Sequence, residues 1–246
     1  MKYATVSEIV RELEEDPVER SGHVYHRIPF PEFAHLTASS SAESAQQKLE
    51  LVRNVLDGRR ARGLPCDRLL DIGANAGLFT FSLAETVGSV TAYEPHPRYG
   101  PIGEYLASAR TPNVDWRPRP FALDEVTESW DVALMLSSFQ WITEGDRKLE
   151  DGRRLLQALS RNVKCLIFEL GLNSGSSAVT TRRRNHVGAI YHLLRRSTEY
   201  PHVDLVARTK PWEGAARSGW RYTFVCSQDD DAVPEVWYAP LKYVNV

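Results

Sequence analysis

The stretch RLLDIGANAGLFTFSLAE, residues 68–85, limits the fold more than any other part of the chain. A short apolar run ends at Asp71 and passes through the loop D-x-G-x-N-x-G, formed by Asp71, Gly73, Asn75 and Gly77. It then becomes an amphipathic helix. A strand, a glycine loop and a helix in succession open a doubly wound sheet, whose ligand lies over the carboxyl ends of the strands. The spacing is not G-x-G-x-x-G. A helix N-terminus welcomes a diphosphate, but a carboxylate beside it opposes one. Asp71 suits a ligand that carries positive charge and no phosphate.

The rest of the chain supports a sheet of this kind. Thr5 with Glu8, and Ser40 with Glu43, form capping boxes for two helices, the second running to a C-terminal glycine at Gly58. Residues 21–38 have aromatics, histidines and prolines without a period and read as an ordered arm or lid. Strand patterns follow at LLDIG, SVTAYEP, NVDW, WDVALMLSS and KCLIFELG, separated by helical ones. VDLVART and RYTFVCS lie close together and predict an antiparallel pair. Such alternation predicts an α/β, Rossmann-like fold: a mostly parallel seven-stranded sheet with a late antiparallel strand and helices on both faces. We expect N-terminal helices and a substrate lid over 1–60, the sheet domain over 61–228, and a tail over 229–246.

Composition excludes more than it identifies. A net charge of −2 gives no global reason to expect nucleic acid. Residues 161–246 nonetheless hold 12 Lys and Arg against 8 Asp and Glu, an excess that suits an anionic substrate or a solvated basic face. Cys66, Cys165 and Cys226 have no zinc or redox spacing, and no His, Asp and Glu set suggests a metal. The N-terminus is too charged for a signal peptide, and no apolar run is long enough to span a membrane. These features predict a cytoplasmic protein with no membrane partner and no metal.

Glu94 ends the next strand, 23 residues after Asp71. An acidic residue there takes hydrogen bonds from ribose hydroxyls. That fits NAD and S-adenosylmethionine (SAM) alike; together with Asp71 and the loop spacing it favours SAM. DIGANAGLFTFSLAE followed by VTAYEPHP resembles the class I SAM-dependent methyltransferases, with local wording close to the FkbM-like branch. The order of elements over roughly 65–228 fits that superfamily. The resemblance implies that Asp71, Gly73, Asn75 and Gly77 line the methionine end and Glu94 the ribose. It puts adenine near Phe121, Ala122 and Leu123, with Asp124 or Glu125 for its amine. Ser137 and Ser138 then flank the cofactor at the end of LMLSSFQWI. This segment is similar to the SxFHH-like motif of small-molecule and glycan methyltransferases, but Gln140 and Trp141 stand where the histidines would be.

The acceptor side is less determined. Glu169, at the end of IFELG, is a candidate base or acceptor ligand, or else a satisfied capping carboxylate. Gln140 is the second catalytic candidate. His26 in the lid, together with Arg182, Arg183 and His186, makes the substrate-binding set. The run Arg182–Arg184 suits a carboxylate or phosphate, although a solvent-facing helical turn explains it better. Tyr191, Trp212, Trp220 and Tyr222 are either core or acceptor pocket. The expected activity is methyl transfer to a small-molecule or glycan-like acceptor, most simply to oxygen. An RNA or protein methyltransferase, or a non-catalytic SAM-binding partner protein, stands as the alternative. An N/D-P-P-Y-like motif is absent, which weighs against the RNA reading.

Overall fold

The computed structural model describes residues 1–15, 22–38, 42–171, 179, 186–209 and 220–229. Helix α1 (Val6–Glu15) opens on the predicted capping box: Glu8 N–H donates to Thr5 Oγ1 at 3.3 Å, and Glu8 Oε2 accepts from Thr5 N. The arm that follows holds two short parallel strands, β1 (His23–Val24) and β2 (Thr37–Ala38), with a 3₁₀ turn at Pro31–Phe33 between them. Helix α2 (Ala42–Ala61) runs past Gly58. The left-handed residue is Gly63 (φ 69°), because Leu64 N–H and Gly63 N–H close back onto the Arg59 and Arg60 carbonyls. Ser40 lies outside the described residues.

The main elements then alternate: β3 (Arg68–Ile72), α3 (Leu78–Leu83), β4 (Ser89–Tyr93), α4 (Tyr99–Arg110), β5 (Val114–Arg117) and β6 (Trp130–Leu136). After them come α5 (Phe139–Ile142), α6 (Leu149–Asn162), β7 (Val163–Gly171), α7 (His186–Ser197), β8 (His202–Thr209) and β9 (Arg221–Ser227). The seven-stranded sheet has the order β5-β4-β3-β6-β7-β9-β8. All neighbours are parallel except β9, which runs antiparallel to both β7 and β8.

Both faces of the sheet are covered, and the period of two along each strand divides the core. Leu69, Val132, Leu134, Cys165 and Ile167 point to the face carrying α1–α4; Leu70, Ala133, Met135, Leu166 and Phe168 point to the face carrying α6 and α7. The arm shares the first core, since Ile9, Val24, Ile28 and Phe33 belong to the same buried cluster as Val52 and Phe79. The chain leaves β3 toward β4 and β5 and returns across it to β6. Strand order therefore reverses beside β3, and a crevice opens over the carboxyl ends of β3 and β6.

Candidate active site

That crevice is a cleft of about 1630 Å³, larger than the few hundred to about 1,000 Å³ that one drug-sized ligand fills. It has room for two. At one end the loop after β3 is drawn tight, with Gly73 and Ala74 N–H both donating to the Tyr93 carbonyl at 2.9 and 3.0 Å. Gly73 has φ 81°, and a Cβ there would stand 2.7 Å from Ser138 Cβ. Only glycine fits. Asn75 is also left-handed (φ 53°), which turns its N–H onto Glu94 Oε2 at 2.6 Å; Glu94 Oε1 accepts from His96 N at 2.7 Å. Asp71 is buried, accepts from Thr80 Oγ1 at 2.6 Å, and faces the cleft. Burial raises its pKa to about 6, helped by the charge of Glu94 and opposed by Thr80. Burial also raises Glu94, opposed by the two backbone N–H groups.

These features and the strand order decide the architecture. The fold is that of a class I methyltransferase. Solved structures of this fold resemble the chain: the bifunctional kinase-methyltransferase WbdD is 20% identical over 91% of this chain and 46% of its own, with a TM-score of 0.67. The N-terminal domain of EvdMO1 with SAH (S-adenosylhomocysteine) bound is 14% identical over 91% of this chain and 97% of that domain, with a TM-score of 0.59. The same domain in the presence of SAH and D-fucose has a TM-score of 0.58. The chain thus spans about half the length of WbdD. No protein-family model matches it, and no curated protein matches it by sequence.

Of the residues singled out from the sequence, Asp71, Gly73, Asn75, Glu94, Ala122, Ser137, Ser138, Gln140 and His26 all meet on this methyltransferase-like cleft. Phe121, Leu123 and Asp124 join them, whereas Glu125 is turned away onto Tyr93 Oη and Arg119, each at 2.9 Å. Gly77 is not on the wall. It caps α3 with φ 83°, and its missing Cβ makes room for the Phe81 ring, 2.3 Å from where that carbon would be. Tyr191 and Tyr222 pack against the second core, and Trp220 stacks under the Arg208 guanidinium at 3.6 Å. Arg182, Arg183, Arg184 and Trp212 lie outside the described residues. His186 opens α7, and only its backbone is described.

Glu169 follows the second of its two expectations, a satisfied carboxylate rather than a base or acceptor ligand. It is fully buried and absent from the cleft wall. One oxygen takes Lys48 Nζ at 2.8 Å and the Ser137 hydroxyl; the other takes Thr209 Oγ1 and Thr223 Oγ1 at 3.3 and 3.4 Å. Burial pushes its pKa up, but the Lys48 charge and hydrogen bond, the Ser137 hydroxyl and Arg221 outweigh it and hold the carboxyl below its ordinary range. A carboxylate so occupied has little capacity to accept a proton.

The sequence reading missed Lys48 and Arg221. Both are nine-tenths buried and line the cleft. Lys48 lies on the buried stripe of α2 between Ala45 and Val52, and a lysine on such a stripe is a legible signal. Arg221, which donates to Ser137 Oγ at 2.9 Å, sits at the start of an apolar strand and offers no comparable signal. His26 packs edge-on to Phe79, and its pKa falls to about 3 through burial and the charges of Lys48 and Arg221, against the pull of Glu169. It stays a neutral imidazole. Among the described residues no three His, Cys, Asp or Glu side chains are grouped to hold a metal ion. No described helix is long and apolar enough to cross a membrane.

Proposed function

We propose that this chain is a SAM-dependent methyltransferase that methylates an oxygen of a small-molecule or sugar-like acceptor. The observation that carries the reading is the pair of buried carboxylates, Asp71 and Glu94, beneath a loop too tight for any side chain at Gly73. A diphosphate would meet two negative charges there. A cationic ligand would relieve the cost that burial places on Asp71. Three buried polar atoms on the same cleft, Asn75 Oδ1, Ser138 Oγ and Gln140 Oε1, have no hydrogen-bond partner among the described residues and fit a ligand rich in polar groups.

When bound, SAM supplies a methyl group activated on a positively charged sulfur. Asp71, Asn75 and Ser138 would hold its amino-acid end. Glu94, with lone pairs left after its two backbone donors, would take the ribose, and Phe121, Ala122 and Leu123 would flank adenine. The other half of the cleft, with His26, Gln140, Lys48 and Arg221, is left for the acceptor. Transfer from a sulfonium depends largely on alignment. Neutral His26 can accept the hydrogen bond of an acceptor hydroxyl, but a site with Glu169 sealed away favours an acceptor oxygen that is acidic or already ionised. D-fucose beside a neighbour of this fold supports a sugar-like acceptor. Three buried free cysteines are in keeping with the reducing cytoplasm as its setting.

Calorimetric titration with SAM, SAH and NAD tests the reading, followed by transfer of labelled methyl to neutral, carboxylated and phosphorylated sugars. Micromolar SAM and SAH binding without NAD binding, and label in an acceptor, are the expected results. NAD binding in their place overturns the proposal. SAM binding with no transfer to any acceptor would favour the non-catalytic alternative.

A further inference from the structure

Lys48 and Arg221 are two buried cations that share one carboxylate among the described residues. They come from elements 173 residues apart, α2 and β9, and meet on the wall beside Ser137. The negative charge nearest to them belongs to Glu169, which stands behind the wall with no exposed surface. Ser137 links the group: its hydroxyl donates to Glu169 and accepts from Arg221 Nη1. Among the described residues two cations thus answer one carboxylate, and the cleft sees the cations while the carboxylate is hidden. The other two buried carboxylates among the described residues, Asp71 and Glu94, bond to neutral donors, Thr80 and the Asn75 and His96 N–H groups, and to neither cation. His26 adds nothing to the excess, because burial and the same two cations keep it unprotonated. A buried positive excess costs free energy until an anion meets it.

We infer that Lys48 and Arg221 form an anion subsite on the cleft wall beside Ser137, which takes a carboxylate or phosphate group of a ligand. Lys48 has three N–H donors and gives one to Glu169; Arg221 has five and gives one Nη1 contact to Ser137. The guanidinium fork matches a carboxylate or phosphate edge, and Ser137, itself tied to Glu169, holds the fork in place. The inference rests on the methyltransferase reading for the origin of the anion. It is either a group on the acceptor or the carboxylate at the methionine end of the cofactor.

Inorganic phosphate, titrated into the wild-type protein, separates these sources. The titration is made on the ligand-free protein, on protein saturated with SAH, and on protein saturated with 5′-methylthioadenosine, which lacks the amino-acid part. Phosphate binding that persists with SAH present assigns the subsite to the acceptor. Binding that SAH abolishes and 5′-methylthioadenosine spares assigns it to the cofactor carboxylate. In either case Arg221→Gln weakens phosphate about tenfold or more. Lys48→Met combined with Glu169→Gln, which removes both buried charges and so protects folding, does the same. Absence of phosphate binding in every state, or binding that both variants leave unchanged, overturns the subsite. Failure of SAH to bind overturns the methyltransferase reading instead, while phosphate binding to the ligand-free protein still tests the subsite.

Discussion

Two buried carboxylates, one on the cleft wall and one behind it, have been treated in opposite ways. Asp71 is buried with one side-chain donor, Thr80, and its pKa is raised to about 6. Glu169 is buried more deeply, yet its pKa is lowered, because Lys48, the Ser137 hydroxyl and Arg221 outweigh the burial. Burial alone therefore does not say whether an acid is prepared for function. What separates the two is whether the protein supplies the compensating charge itself. Glu169 is compensated from within and acts as an anchor for α2 and Arg221. Asp71 is left in deficit, which a cationic ligand can make good.

The largest effect expected from this contrast is at Lys48. Lys48→Met strands the Glu169 charge and should lower stability by about 3–5 kcal/mol in urea unfolding, with most of the loss restored by adding Glu169→Gln. A loss below about 1 kcal/mol would mean that Glu169 carries a proton and that the contrast is false. At Asp71 the signs divide. Asp71→Asn keeps an oxygen for the Thr80 hydrogen bond and removes a charge whose pKa is displaced from 3.8 to about 6. The ligand-free protein should gain about 1–3 kcal/mol of stability at pH 7, while SAM affinity falls at least tenfold. Loss of both stability and affinity would make Asp71 a structural group.

The smallest effect is on pH dependence and needs no mutation. Because the folded pKa of Asp71 lies above its unfolded one, its ionisation costs stability. That cost is absent below about pH 3.8 and grows as pH rises to about 6. A cationic ligand needs the ionised form, so SAM affinity should fall about tenfold between pH 7 and pH 5. Glu169 behaves oppositely: its contribution is present above its unfolded value of 4.5 and is lost as pH falls through its lower folded pKa. A flat SAM affinity over that range would show that Asp71 does not answer the ligand's charge.

What the sequence made legible follows the range of the interactions. The Asp71–Gly77 loop, the capping box at Thr5 and the strand succession are local, so chemistry and spacing within a few residues specify them. Glu94 was legible because the distance from one strand tip to the next is set by the helix between them. Gly77 was assigned to the ligand, yet its left-handed turn serves Phe81, and a glycine's spacing cannot tell a ligand's approach from a ring's. Glu169 looked available because its four donors come from positions 48, 137, 209 and 223, which only the finished sheet assembles. Arg221 was hidden for the same reason.

The position of β9 has a consequence for how the chain is made. Strand β9 is the last of the sheet to be synthesised, yet it lies inside it, between β7 and β8. A nascent chain holds every residue around Asp71 and Glu94 once it has passed α5; β7, made later, keeps one unpaired edge, and Glu169 lacks Thr223 and the neighbouring Arg221, until β9 follows. The surroundings of the two carboxylates therefore mature at different times. Until residues 221–227 leave the ribosome, the apolar strand β7 is an open edge of the kind that recruits foreign strands. Completion of the contacts around Glu169 and the covering of this edge are one event, brought about by one seven-residue strand.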